Sequence, residues 1–117
     1  MRIISGNLRG STLYVAKDKN TRPLKDLVRE SIFNLLTHSN KFLFQLEQSN
    51  ILDLYSGTGS FGLECLSRQA KNVYFIEKEK STFEILEKNI KKLKIIKKAK
   101  IFFSDVFTLI EKQNVLE

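Results

Sequence analysis

The residues best placed to do chemistry lie in "NILDLYSGTGSFGLE", residues 50–64. There Gly57, Gly59 and Gly62 spell G-x-G-x-x-G behind an apolar run interrupted by Asp53. A glycine-rich turn between a strand and a helix lets a ligand approach the backbone, and the helix N-terminus then offers unpaired N–H groups. For a dinucleotide these groups hold the pyrophosphate, and an acid about 20 residues on holds the ribose hydroxyls. Glu77 stands 20 residues after Gly57, so an NAD site passes this test. The carboxylates favour a different ligand. Asp53, four residues before the first glycine, would repel a pyrophosphate and attract a cation. S-adenosylmethionine carries a sulfonium and an ammonium and has no phosphate. Asp105, after "IFFS", could accept a hydrogen bond from an adenine amino group. Asp53, Glu77 and Asp105 would then form a line along an adenosyl ligand. Each also has a plainer reading: Asp53 as a buried turn cap, Glu77 and Asp105 as acids at helix N-termini.

A line of this kind needs three strands ending at one edge. "ILDLY", "NVYFI" and "KIFFS" read as strands, while "SFGLECLSRQ", "KSTFEILEKNIKKL" and "VFTLIEKQ" read as the helices after them. In the second helix Phe83, Leu86, Ile90 and Leu93 share a face. Alternating strands and helices predict an α/β fold with a parallel sheet and right-handed crossovers. Upstream, "RIISGNLRGSTLYV" reads as a β-hairpin turning at Gly6, Asn7 and Gly10, with Arg2 and Arg9 on it. "KDKNTRP" is a polar loop, with Pro23 suited to a helix's first turn and Thr21 near as a cap. Leu24, Leu27, Val28, Ile32, Leu35 and Leu36 form one stripe and predict an amphipathic helix. The stretch "THSNKFLFQLEQSN" reads as a loop with a short helical turn around Phe42–Leu46.

Size and charge bound the rest. The 117 residues allow one domain with a small core, and 42% apolar residues argue against disorder. A net charge of +7 suggests a polyanionic partner such as nucleic acid, or an anionic membrane, although 15 lysines against 5 arginines also fit a coding bias. Seven lysines fall between Lys88 and Lys100; a solvated helix face explains them as readily as a phosphate-binding one. One cysteine, Cys65, and one histidine, His38, allow neither an internal disulfide nor a Cys/His metal cluster. Cys65 is expected to pack as a small apolar group, and His38 to be solvated after a helix ending near Leu36. No apolar run approaches a membrane span of about 20 residues. The opening "MRIISGNLRG" lacks the apolar segment of a signal peptide, so a soluble cytoplasmic protein is expected.

"D-L-Y-S-G-T-G-S-F-G-L-E" resembles the D-x-F-x-G-S-G-x-x-G-L-E loop of the bacterial small-subunit ribosomal RNA (guanine-N2) methyltransferases of the RsmD type. "MRIISGNLRGSTL" resembles that family's opening hairpin, and "TRPLKDLVRESIFNLL" its T-R-P-T-x-D-x-V-R-E-x-L-F-N-x-L helix. "LSRQAKNVYFIEKEK" resembles its L-S-R-G-A-x-x-V-x-F-[IV]-E-x-[DN] segment. The resemblance covers essentially the whole chain, and its N-terminal part is more specific than the glycine loop. It implies a Rossmann-like S-adenosylmethionine-dependent methyltransferase fold with a partial parallel sheet. Residues 1–48 would be an RNA-facing hairpin-plus-helix extension, and 49–117 the first half of the methyltransferase domain. Asp53, Gly57 and Gly59 would form the methionine-side cradle of S-adenosyl-L-methionine, Glu77 would bind its ribose hydroxyls and Asp105 its adenine edge. Tyr55, Thr58, Lys78 and Val106 would complete the binding set. Arg2, Arg9, Arg22, Lys25 and Arg29 would face ribosomal RNA or a small-subunit assembly particle, with no metal and no membrane involved.

Two departures are mild: Gln69 replaces a usual glycine where a helix-ending left-handed residue is expected, and Tyr55 replaces phenylalanine. A third is larger. The family's catalytic D-P-P-[FY] motif is absent, because the one proline is Pro23. No catalytic residue is therefore assigned, and the fourth strand that carries the motif is expected beyond Glu117. A sheet of three strands would leave an edge and apolar faces open to self-association. Two other readings stand beside the methyltransferase: a non-catalytic RNA-binding module, and an NAD-binding domain.

Overall fold

The computed structural model describes residues 1–16, 26–38 and 45–111. Their order is α1 (Asp26–His38), β1 (Asn50–Asp53), α2 (Ser60–Ser67), β2 (Asn72–Glu77), α3 (Lys80–Leu93), a 3₁₀ turn (Ile96–Lys98), β3 (Ala99–Phe103) and α4 (Val106–Glu111). The strands form one parallel sheet in the order β1-β2-β3. Asp53 pairs with Phe75, and Phe75 with Ile101; Glu77 pairs with Phe103. The carboxyl ends of all three strands therefore meet at one edge. Val73 and Phe75 are buried, and α2 packs over β1 and β2 while α3 packs over β2 and β3. Gly62 permits the α2 approach: a Cβ there would lie 2.2 Å from the Phe75 ring.

The N-terminal segment makes less sheet than its alternation predicts. A single antiparallel bridge joins Arg2 to Thr12, with backbone bonds Ile3 N–H to Ser11 O and Leu13 N–H to Met1 O. The turn between them sits on the end of α2. Gly6, at φ +89°, is so close that a Cβ would come within 1.9 Å of the Ser67 carbonyl oxygen. Asn7 N–H donates to that carbonyl, and Leu8 N–H to the Ser67 hydroxyl. Ile3, Leu13, Phe33 and Leu46 join the same buried cluster as Leu63, Phe75 and Leu86.

Helix α1 corrects the expected stripe. Leu27, Val28 and Leu35 are exposed, whereas Arg29 and Phe33, one turn apart, are fully buried. The cause is Glu64 on α2, also fully buried, which draws the Arg29 guanidinium inward at 3.7 Å. Phe33 follows onto the Phe61 ring, 5.1 Å between centroids, and Arg68 lies over its other side at 4.4 Å. The helix also runs to His38 rather than ending near Leu36. Thr21, Pro23, Leu24 and most of the turn expected around Phe42–Leu46 lie outside the described residues. Lys80–Leu93 is the expected helix without change of bounds, with Leu86 and Ile90 buried and Phe83 and Leu93 partly so. The 3₁₀ turn at Ile96–Lys98 was not expected. Gln69 adopts the left-handed conformation, φ 79°, that a glycine would take more cheaply. Cys65 is buried, and burial pushes its thiol up to about 12, so it packs as an inert apolar group.

Candidate functional site

The glycine loop is held from both sides. Ser56 fixes its start: the hydroxyl donates to Asp53 O, accepts from Ile76 N–H at 2.9 Å, and Ser56 N–H donates to Ile76 O. Gly57 and Gly59 are both left-handed, at φ 57° and 97°. Gly59 also has no room for a side chain, since a Cβ would lie 2.6 Å from Leu86. On the far side, the fully buried Asn89 amide donates to Thr58 O at 2.9 Å. The same amide bonds Tyr14 N–H and O, tying the N-terminal segment to the back of the loop.

Glu77 closes the loop from β2. One carboxylate oxygen accepts the Gly57 N–H and the other the Glu79 N–H, both at 2.9 Å. The twenty-residue spacing read from the sequence thus becomes direct contact. A carboxylate has about four lone-pair sites, so two acceptor positions remain for a ligand's hydroxyls.

Asp53 ends β1 beside them. It is mostly buried, and desolvation pushes its carboxyl up to about 6, with the Glu77 charge adding to the rise; backbone N–H groups of Tyr55 and Gly62 pull the other way. Its Oδ2 is buried without a hydrogen-bond partner. A buried acceptor left open is costly, and an ammonium or a bridging water would satisfy it.

Asp105 sits across the edge, after β3. Its Oδ1 accepts the Phe107 and Thr108 N–H groups at 2.7 and 3.3 Å, capping α4, which matches its plainer reading; its side chain remains exposed. Between β1, β2 and β3 lies a cleft of about 130 Å³ lined by Tyr55, Glu77, Lys78, Asp105, Val106 and Phe107, among others. The structure thus gathers five of the nine expected donor residues on one cleft. Asp53 is not among the residues lining it, Gly57 adjoins it through Glu77, and Thr58 and Gly59 are buried behind the loop. Among the described residues no group of three acids, histidines or cysteines could hold a metal, and no helix is long and apolar enough to cross a membrane.

The basic residues divide. Arg2 and Arg9 are exposed and line a polar cleft of about 540 Å³ beside α1. Arg29 is corrected: it is fully buried against Glu64 and donates to Arg2 O, so it cannot face RNA from the surface. Arg22 and Lys25 lie outside the described residues. Two residues were missed. Arg68 lines the same cleft, and Glu64 organises it, accepting from Ile4 N–H, Ser5 N–H and Arg68 Nε. The one sequence signal for Glu64 was its place at the end of the G-L-E triplet.

Comparison with known proteins identifies the family. The family model described as "Conserved hypothetical protein 95" matches residues 1–116. The chain belongs to this family. It is similar to the "Ribosomal RNA small subunit methyltransferase D" of Haemophilus influenzae, 43% identical over 94 residues, which cover 80% of this chain and 46% of that protein. It is 32% identical over 105 residues to the "Putative rRNA methyltransferase YlbH" of Bacillus subtilis, covering 90% of this chain and 54% of that one. Among solved structures, the "Putative methyltransferase yhhF from Escherichia coli" superposes with a TM-score of 0.79 at 32% identity, over 94% of this chain and 55% of that one. The fold is therefore the Rossmann-like α/β fold of these methyltransferases. The chain spans about half the length of the curated relatives it matches.

Proposed function

We propose that the chain carries the donor-binding portion of an S-adenosylmethionine-dependent ribosomal RNA methyltransferase acting on the exocyclic N2 of a guanine in the small subunit. The observation that carries this reading is the pair Asp53 and Glu77. Glu77 braces the glycine loop while keeping open acceptor positions, and Asp53 presents a buried, unpartnered oxygen at the loop's base. A pyrophosphate would meet two carboxylates there; an ammonium or sulfonium would be attracted by both. The donor would be held by Asp53, Gly57 and Gly59 at its methionine side, by Glu77 at its ribose and by Asp105 at its adenine, with Tyr55, Lys78 and Val106 beside them and the buried Thr58 and Gly59 shaping the loop from behind. When bound, the donor supplies an electrophilic methyl group on a sulfonium. Residues 1–48 then serve as the RNA-facing extension through Arg2 and Arg9, with Arg22 and Lys25 assigned to the same face from the sequence, and residues 49–117 as the donor-binding half.

Calorimetry with S-adenosylhomocysteine and with NAD tests this reading. Binding of the first with no heat from the second supports it; preferential NAD binding overturns it. Methyl transfer to unmodified small-subunit particles separates an enzyme from a non-catalytic RNA-binding module. Transfer is expected once a D-P-P-[FY] strand accompanies this chain, because the weakly nucleophilic guanine amine needs acceptors on its N–H groups.

A further inference from the structure

The lysines between Lys88 and Lys100 do not simply coat a helix. Lys91 and Lys94 at the end of α3 converge with Lys97 and Lys98 of the 3₁₀ turn on a cleft of about 620 Å³ also lined by the buried Leu66 and the exposed Ile96. No acid lines it. Helix-dipole complementarity accounts for Lys91, in the last turn of α3, but not for Lys97 and Lys98, which belong to another element. Lys94 takes the left-handed conformation, φ 58°, that turns the chain back and brings the two groups together.

The cleft shares a wall with the N-terminal turn. Asn7 and Leu8 line the lysine cleft; Arg9 and Gly10 line the arginine cleft with Arg68. The Gly6–Gly10 turn, anchored on Ser67, therefore separates the lysine cleft from a cleft where Arg2, Arg9 and Arg68 outweigh the acid Glu30. In the second cleft Arg68 is held in place by Glu64 at 2.9 Å and by the Phe33 ring, so its position is set before any ligand arrives.

We infer that the two clefts form one track for a single RNA strand that crosses the Gly6–Gly10 ridge, with the lysine cleft holding phosphates on the side away from Arg9. This rests on the methyltransferase reading, which makes RNA the polyanion. Lysines act as point charges on phosphates, while the exposed Arg2 and Arg9 and the exposed edge of Arg68 add guanidinium donors, so affinity comes from both sides.

The test is fluorescence anisotropy of labelled oligouridylates of 4 and 20 nucleotides against the 117-residue chain across a salt series, with S-adenosylhomocysteine calorimetry alongside. Lys94→Ala/Lys97→Ala/Lys98→Ala should weaken the 20-mer about tenfold at low salt and reduce its salt slope by about two, at roughly 0.7 per single-strand phosphate. Arg9→Ala should remove a further part of the slope on the 20-mer. Only the longer probe should feel both changes, because only it spans the ridge. The triple Lys→Arg variant should restore affinity, and S-adenosylhomocysteine binding should stay unchanged in every variant. Unaltered 20-mer affinity in the triple alanine variant overturns the track. So does competition by polyglutamate equal to that by oligouridylate, which would mark the clefts as an acidic-protein dock. Failure of S-adenosylhomocysteine to bind the unaltered chain would instead count against the methyltransferase reading.

Discussion

The Glu77 carboxylate accepts the Gly57 N–H at 2.9 Å, joining the end of β2 to the first glycine of the loop after β1. The acid that would hold a ligand's ribose is thus already part of the wall that shapes the ligand's cradle. Removing it should damage both. Glu77→Ala is expected to cost about 1–3 kcal/mol of stability by leaving two backbone N–H groups without acceptors, and at least tenfold in S-adenosylhomocysteine affinity. Glu77→Gln keeps one acceptor oxygen and should fall between. Urea melts and calorimetry on the two variants check the order.

Asp53 should show two opposite pH dependences. Its carboxyl is raised from an ordinary 3.8 to about 6 in the folded chain. Between those values the folded chain holds a proton that the unfolded chain has lost, so the burial cost is full above pH 6 and is relieved as pH falls. Relative to Asp53→Asn, the unaltered chain should gain about 1.4 kcal/mol per pH unit from pH 6 toward pH 4. Affinity for the ammonium-bearing ligand should run the other way, level above pH 6 and dropping about tenfold per unit below it. Chemical denaturation and calorimetry at pH 4.5 to 7.5 report the two trends separately.

Glu64 is fully buried, and polar groups of three segments converge on it. It pairs with Arg29 and Arg68 and accepts two backbone N–H groups of the N-terminal segment, Ile4 and Ser5. Glu64→Ala leaves the Arg29 guanidinium buried without its carboxylate and should cost about 3–5 kcal/mol. Hydrogen exchange should then rise first at Ile4 and Ser5, before the amides of β2. Uniform loss of protection would contradict the idea that Glu64 docks the N-terminal segment.

Two glycines should separate space from backbone conformation. Gly62→Ala puts a methyl 2.2 Å from the buried Phe75 ring and should cost about 1–3 kcal/mol. Gly10→Ala meets nothing within 4 Å, and its φ of +84° should cost only about 1 kcal/mol. Thermal melts of the two variants give the comparison.

The strands were legible because β-branched and aromatic runs recur between turn residues, and α3 because Leu86 and Ile90 mark its buried face, although Thr82 and Asn89 are buried on it too. Helix α1 was not legible in the same way. Its inward face is set by Arg29, and the reason, Glu64, lies 35 positions away on α2. Periodicity cannot find a buried ion pair that joins two elements. The same blindness hid Arg68, whose exposure is decided by Glu64 and Phe33, and made the lysine run look like a helix face until the 3₁₀ turn folded its second half back. The glycine loop was readable because its demands are local: two left-handed residues, one close helix contact and an acid at a fixed distance along the chain.

The most direct measurement of the central claim is an amide-resolved NMR titration of the chain with S-adenosylhomocysteine. Saturable shifts are expected at Gly57, Gly59, Glu77 and Asp105, with none at these amides when NAD is added instead. Shifts produced by NAD at Gly57 and Gly59, or no response at this edge of the sheet to S-adenosylhomocysteine, would contradict that claim.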